Sequence, residues 1–178
     1  MRETKTVRKI DSSLVYRRTL FPSRLLVFEV EKDGLPSVLK TNRNSLGWGF
    51  QHLNREAEAL KRARYVEGIT CLLQEYSSSG YCLAIRKEFA PGNSLFNLGS
   101  GIGITYLQIA LQNTVRALHE LGIADLDLSR KNIVLSPEEK DCSIVDLGTS
   151  RFSEELSFKD FNRLRYKDIH NLERGIFE

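Results

Sequence analysis

Two runs near the start of the chain, SSLVYRR and RLLVFEVEKDGLPSVLKTN, are crowded with β-branched and aromatic residues. That composition predicts strands. Lys32, Asp33 and Gly34, between LLVFEVE and PSVLKT, have the character of a hairpin turn. A polar, glycine-bearing connection, NRNSLGWG, follows, and then FQHLNREAEALKRARYV, dense in good helix formers. Within it Leu53, Ala57, Leu60 and Ala63 recur at steps of four, three and three, which puts them on one helical face. ITCLLQEYSSSGYCLAIRKEF predicts two strands around a Ser/Gly turn, and APGNSL interrupts the pattern with proline and glycine, as a joint between halves does. Beyond it, TYLQIALQNTVRALHELG predicts a second helix, with Leu107, Leu111, Val115 and Leu118 buried and Gly122 as its stop. NIVL and CSIV, flanking SPEEKD, predict a small hairpin, and a charged helix closes the chain. The sum is an α+β layout: a small antiparallel sheet with one helix, a hinge, then a mainly helical half.

Composition narrows the classes without choosing among them. A chain of 178 residues, 41% hydrophobic and 28% charged, can bury a core as one domain or two small lobes. The net charge of +3 is mild, and the cations gathered in MRETKTVRKI, YRR and LKRARY are read as a solvated face, without the interleaved aromatics of a nucleic-acid surface. Cys71, Cys82 and Cys142 are odd in number and lack ligand spacing, which points to a reducing compartment and away from disulfides or zinc. No apolar run reaches membrane-spanning length and the first residues are too polar for a signal peptide, so a cytoplasmic location is expected. His52, His119 and His170 share no spacing and are expected to be structural.

The chemistry concentrates in LGIADLDLSRKNIVLSPEEKDCSIVDLGTS. Asp127 and Asn132 stand five residues apart, and Asp146 follows fourteen later, just before a glycine-containing turn. Polar oxygens set among Ile, Val and Leu cost desolvation energy unless paired, and a phosphate-bound Mg²⁺ is a partner such oxygens suit. DLDLSRKN lies where a protein kinase carries H-R-D-L-x-x-x-N, VDLG resembles D-F-G, VLK places Lys40 at the end of a strand, and NREAEAL offers Glu56 on the following helix. The chain thus resembles the protein-kinase-like superfamily over roughly residues 14–178. Its DLS wording is similar to RIO-type kinases, to the small kinases of the tRNA-threonylcarbamoylation complex and to lipopolysaccharide-core kinases.

The resemblance implies one two-lobed domain over 1–178, with an N-lobe of about 1–88, a hinge of about 88–94 and a short C-lobe of about 95–178. It implies ATP and Mg²⁺ as ligands. Asp127 would serve as base, and Lys40 would hold the α- and β-phosphates with its rotamer kept by Glu56. Asn132 and Asp146 would bind the metal, and Glu88 and Phe89 of the hinge RKEFAPGNSL would meet the nucleotide. Asp168, in YKDIHNLERGI, would anchor the catalytic loop from below. The acceptor implied is a Ser/Thr protein or water, with a sugar as alternative; a protein partner is expected, and nucleic acid only indirectly.

Departures from the kinase pattern bear on activity. The stretch TLFPSRLL stands where the glycine-rich loop belongs and contains no glycine, so Ser23 and Arg24 are the candidate phosphate contacts. LGSGIG, with Gly99, Gly101 and Gly103, comes after the hinge and is read as a connection. Asp125 and Leu126 replace the histidine and arginine of H-R-D, which removes the usual receptor for a phosphorylated loop and leaves Asp125 in need of a partner. Thirty residues follow DLG, with no A-P-E. A pseudokinase scaffold is therefore the rival expectation.

Overall fold

A computed structural model describes residues 2–22, 25–42, 47–98, 105–138 and 141–175. Strands β1 (Val15–Pro22), β2 (Leu25–Lys32) and β3 (Leu35–Asn42), with β4 (Leu72–Ser78) and β5 (Tyr81–Glu88), form one antiparallel sheet in the order β1-β2-β3-β5-β4. The β2–β3 turn needs left-handed backbone at both central positions, which Asp33 and Gly34 adopt with φ of 54° and 81°. Ser79 and Gly80 turn the β4–β5 hairpin in the same way.

Side chains alternate across β3, so Leu39 and Lys40 leave on opposite faces. Leu39 joins Phe28, Val30 and Ala84 in a cluster closed by Val7 and Leu14. Val7 belongs to a helix the sequence pattern did not predict, α1 (Arg2–Ile10). With only Val7 and Ile10 as apolar anchors among charges, its amphipathic signal is short, and the sheet rather than helix propensity holds it. The sheet half thus carries two helices, α1 and α2 (Trp48–Arg62), where one was expected.

On the other face, Leu25 and Ile85 meet Leu53, Ala57 and Leu60 of α2, the positions the helical spacing predicted. Two short strands follow β5 and α2 in space: β6 (Asn93–Ser94) at the joint, and, after α3 (Thr105–Glu120), β7 (Ile123–Ala124). Leu107, Leu111, Val115 and Leu118 of α3 are all buried, and Gly122 ends the helix with φ of 74°. The hairpin of β8 (Ile133–Leu135) and β9 (Cys142–Ile144) then leads to β10 (Arg151–Phe152), which pairs with β7. Helix α4 (Phe158–Gly175) packs on α3 and β7.

The halves meet at several places, two of them beside β4 and β5. At the joint, Leu95 N–H donates to the Ile133 carbonyl at 2.9 Å, and Gly92 (φ 124°) lies so close to β8 that a Cβ there would stand 1.8 Å from the Leu135 oxygen. Past α2, Ile144 N–H donates to the Gly68 carbonyl at 2.9 Å and Thr114 Oγ1 donates to the Glu67 carbonyl at 2.9 Å. The three cysteines are free thiols. Among the described residues no helix is long and apolar enough to cross a membrane.

Candidate active site

A cavity of about 630 Å³ lies between sheet and helical half. Leu25, Val27, Val38, Val134 and Val145 give it apolar walls, and Glu88, Phe89 and Ala90 line it at the hinge. Lys40, Asn132 and Asp146 also line it, so strands from both halves bring these three together. The volume and the mixed lining suit a small ligand with an apolar ring and a charged end.

Lys40 is the centre of the charged end. It is 4% exposed, and its Nζ lies 2.6 Å from Glu56 Oε2 and 2.9 Å from Asp146 Oδ2. Burial opposes its charge, but Glu56 and Asp146 outweigh burial and the Lys40 pKa is raised. Burial likewise works against the Asp146 carboxylate, yet His52, Lys40 and Lys87 hold its pKa well below the usual range. Of the two glutamates in NREAEAL, Glu56 is fully buried, while Glu58 turns to Arg62 at the surface.

Two members of this cluster were not among the expected residues. His52, expected to be structural, sits one turn before Glu56 with its Nε2 3.4 Å from both Lys40 Nζ and Asp146 Oδ1. Its spacing of four from Glu56 was the signal that could have found it. Lys87, on β5, is 3% exposed and donates to Glu56 Oε1 and to the Val145 carbonyl. A lysine in a strand is ordinarily a solvated residue, so no pattern in IRKEF marked it. His52, Glu56 and Asp146 bring ligand atoms within 4.8 Å of one another, but the Lys40 ammonium bonds into that group and already supplies its cation.

The loop carrying Asp127 and Asn132 is braced from three sides. Asn132 Nδ2 donates to Asp127 Oδ2 at 2.9 Å and to the Asp127 carbonyl at 3.0 Å, which leaves the amide oxygen of Asn132 uncommitted to these bonds. Val145 N–H donates to the Asn132 carbonyl at 2.9 Å, tying the loop to the strand before Asp146. Asp146 Oδ1 accepts the Gly148 N–H at 2.9 Å. From below, the fully buried Asp168 accepts the Leu126 N–H at 2.9 Å and contacts His119 Nε2 at 3.0 Å. Burial pushes the Asp168 pKa up against the lowering effect of those bonds. Asp125, in left-handed backbone at φ 60°, finds its partner in Lys167 Nζ at 2.7 Å, while Thr149 Oγ1 donates to its carbonyl.

Glu88 lines the hinge wall, but its carboxylate accepts the Cys71 N–H at 3.0 Å and so clips the hinge to the start of β4. Thr70, 6% exposed in the cavity wall, has a buried hydroxyl with no partner among the described residues. Ser23 and Arg24 lie outside the described residues, as do Gly99, Gly101 and Gly103.

No protein-family model matches the chain, and no curated protein matches it. In three dimensions it is similar to the kinase PK-1 of the Cydia pomonella granulovirus, with a TM-score of 0.67 over 85% of this chain, at 17% sequence identity. The fold is protein-kinase-like. The chain spans 57% of the length of that kinase, and at such identity the likeness speaks for architecture: a small sheet lobe over a helical lobe, with the cavity between them.

Proposed function

We propose that the protein is an ATP- and Mg²⁺-dependent phosphotransferase. The observation that carries this reading is Lys40, whose buried ammonium bonds Glu56 and Asp146 in a cavity wall shared with Asn132. Lys40 would hold the α- and β-phosphates while Glu56 fixes its rotamer. Asn132 and Asp146 present amide and carboxylate oxygens, the hard donors Mg²⁺ takes, and they fit that ion. When bound, the ion would neutralise charge on the phosphates. Glu88 and Phe89 would face the nucleobase, and Ser23 and Arg24 would reach the phosphates in place of a glycine-rich loop. In this division the N-lobe runs over about 1–88, the hinge over about 88–94 and the C-lobe over about 95–178.

Asp127 is the base in this reading. Its Oδ2, oriented by Asn132, would accept the acceptor's hydroxyl proton as that oxygen bonds the γ-phosphorus and the bond to the ADP oxygen breaks. Ser129, two residues beyond Asp127, matches the RIO-like DLS and favours a Ser/Thr protein acceptor or water; a sugar acceptor is the alternative. A reducing, cytoplasmic setting agrees with the free cysteines, and a protein partner is part of this reading.

A second reading, a pseudokinase scaffold, has its own observation: TLFPSRLL, between the first two strands, contains no glycine. Calorimetry of ATP with and without Mg²⁺, on wild type and Asp146→Asn, tests the nucleotide site. Magnesium-dependent binding that weakens in the variant is expected; no binding in wild type overturns it. Loss of phosphate transfer in Asp127→Ala with nucleotide binding intact separates enzyme from scaffold.

A further inference from the structure

A lysine as deeply buried as Lys87 keeps its charge only where acceptors replace the lost water. Its two acceptors lie on different elements. Glu56 Oε1 belongs to α2, and the Val145 carbonyl belongs to the residue immediately before Asp146. The other oxygen of Glu56 goes to Lys40. One fully buried carboxylate is thus divided between two ammoniums, and the second of them also grips the peptide from which Asp146 projects.

We propose that Lys87 is a positioning residue for the phosphotransfer site, an inference that rests on the reading above. From the hinge strand it fixes Glu56 and the Val145–Asp146 peptide together, so that Lys40 and Asp146 are aligned before a nucleotide arrives. Displacing α2 outward would strip Glu56 from both lysines, leaving Lys40 with Asp146 alone and Lys87 with no carboxylate partner in the interior. Leu126 stands where an arginine could receive a phosphorylated segment, so the alignment comes from inside the fold instead. Lys87 acts through these two acceptors.

The test compares wild type with Lys87→Met, which keeps the stem and removes the charge, and with Lys87→Arg. Amide hydrogen exchange is followed across residues 52–60 and 142–147, with 107–118 in α3 as internal reference. ATP affinity with Mg²⁺, KM and kcat are measured alongside. In Lys87→Met, exchange is expected to accelerate in 52–60 and 142–147 but not in α3. Affinity and KM should stay within about threefold while kcat falls about tenfold or more. Lys87→Arg should restore most of both. Unchanged local exchange, loosening spread evenly over the chain, or a kcat within about twofold of wild type would overturn the proposal. Should Lys87→Met fail to fold, Lys87→Gln supplies the same comparison. If wild type transfers no phosphate, the phosphotransferase reading fails, while the exchange comparison still decides whether Lys87 clamps Glu56.

Discussion

A Cβ built on Gly148 would fall 1.9 Å from His52 Nε2, so the glycine two residues past Asp146 leaves room for the imidazole that covers it. Gly148→Ala must push the ring away from Asp146 and Lys40. Since a side chain rather than backbone yields, the cost to stability should be modest, about 1–2 kcal/mol. His52→Ala should remove the clash and make Gly148→Ala nearly neutral in the double variant. Urea unfolding of the four proteins measures the coupling; additive effects would contradict this contact.

Glu56 satisfies Lys40 and Lys87 at once, so its removal leaves Lys87 buried without a carboxylate and Lys40 with Asp146 alone. Glu56→Ala is expected to destabilise by roughly 3–5 kcal/mol, the range for breaking a buried ion pair. Lys40→Met should cost less, because Lys87 still pairs with Glu56. Thermal unfolding ranks the two variants, and the opposite order would show that Lys87 does not share the carboxylate.

Asp168 joins α4 to the Asp127 loop through the Leu126 N–H and meets His119 in the interior. Asp168→Ala orphans both partners and should cost about 3 kcal/mol or more. Phosphate transfer should fall further than the folded fraction does, because the residue before Asp127 loses its tether. Activity per folded molecule, with the folded fraction taken from circular dichroism, is the readout.

Asp11 ties α1 to β4: Tyr76 OH donates to its Oδ2 at 2.8 Å, and Ser13 bonds its Oδ1 through hydroxyl and amide. Chiefly through Ser13, its pKa is lowered from 3.8 to about 2. A depressed carboxylate stabilises the fold above its ordinary pKa and loses that contribution as pH falls through the folded value. The stability gap between wild type and Asp11→Ala should therefore be full at pH 6 and shrink between about pH 4 and pH 2. Its ionic part is on the order of 1 kcal/mol, since solvent screens the group. Denaturant midpoints at pH 6 and pH 2.5 check it.

What the sequence made legible follows from how local each signal is. The helical spacing of Leu107, Leu111, Val115 and Leu118 and the turn residues Asp33 and Gly34 act within a few residues, and both predicted what the fold contains. Asp127, Asn132 and Asp146 stood out because a short hairpin, β8–β9, links them along the chain. Lys87 and His52 did not, because their partners lie on other elements and only the packing of α2 against β5 brings them to Asp146. Asp168 could be assigned only through the family resemblance, for the same reason: its partner is a backbone N–H forty-two residues earlier. Helix α1 carries too few apolar positions to announce itself without the sheet it covers.

Two crossings between the halves also bear on how the cleft can open. One is the joint at Gly92–Leu95 seated on β8; the other is Glu67–Gly68, held by Thr114 and Ile144. Both crossings adjoin β4 and β5, at one side of the sheet, and β1 is at the far edge. Side chains close the rest of the boundary: Lys87 holds the Val145 carbonyl, Lys40 pairs with Asp146, and Arg55 donates to the Ser150 carbonyl at 2.9 Å. Opening the cleft about the two crossings must therefore break the Lys40–Asp146 and Arg55–Ser150 contacts, so the charges that line the cavity also act as its latch.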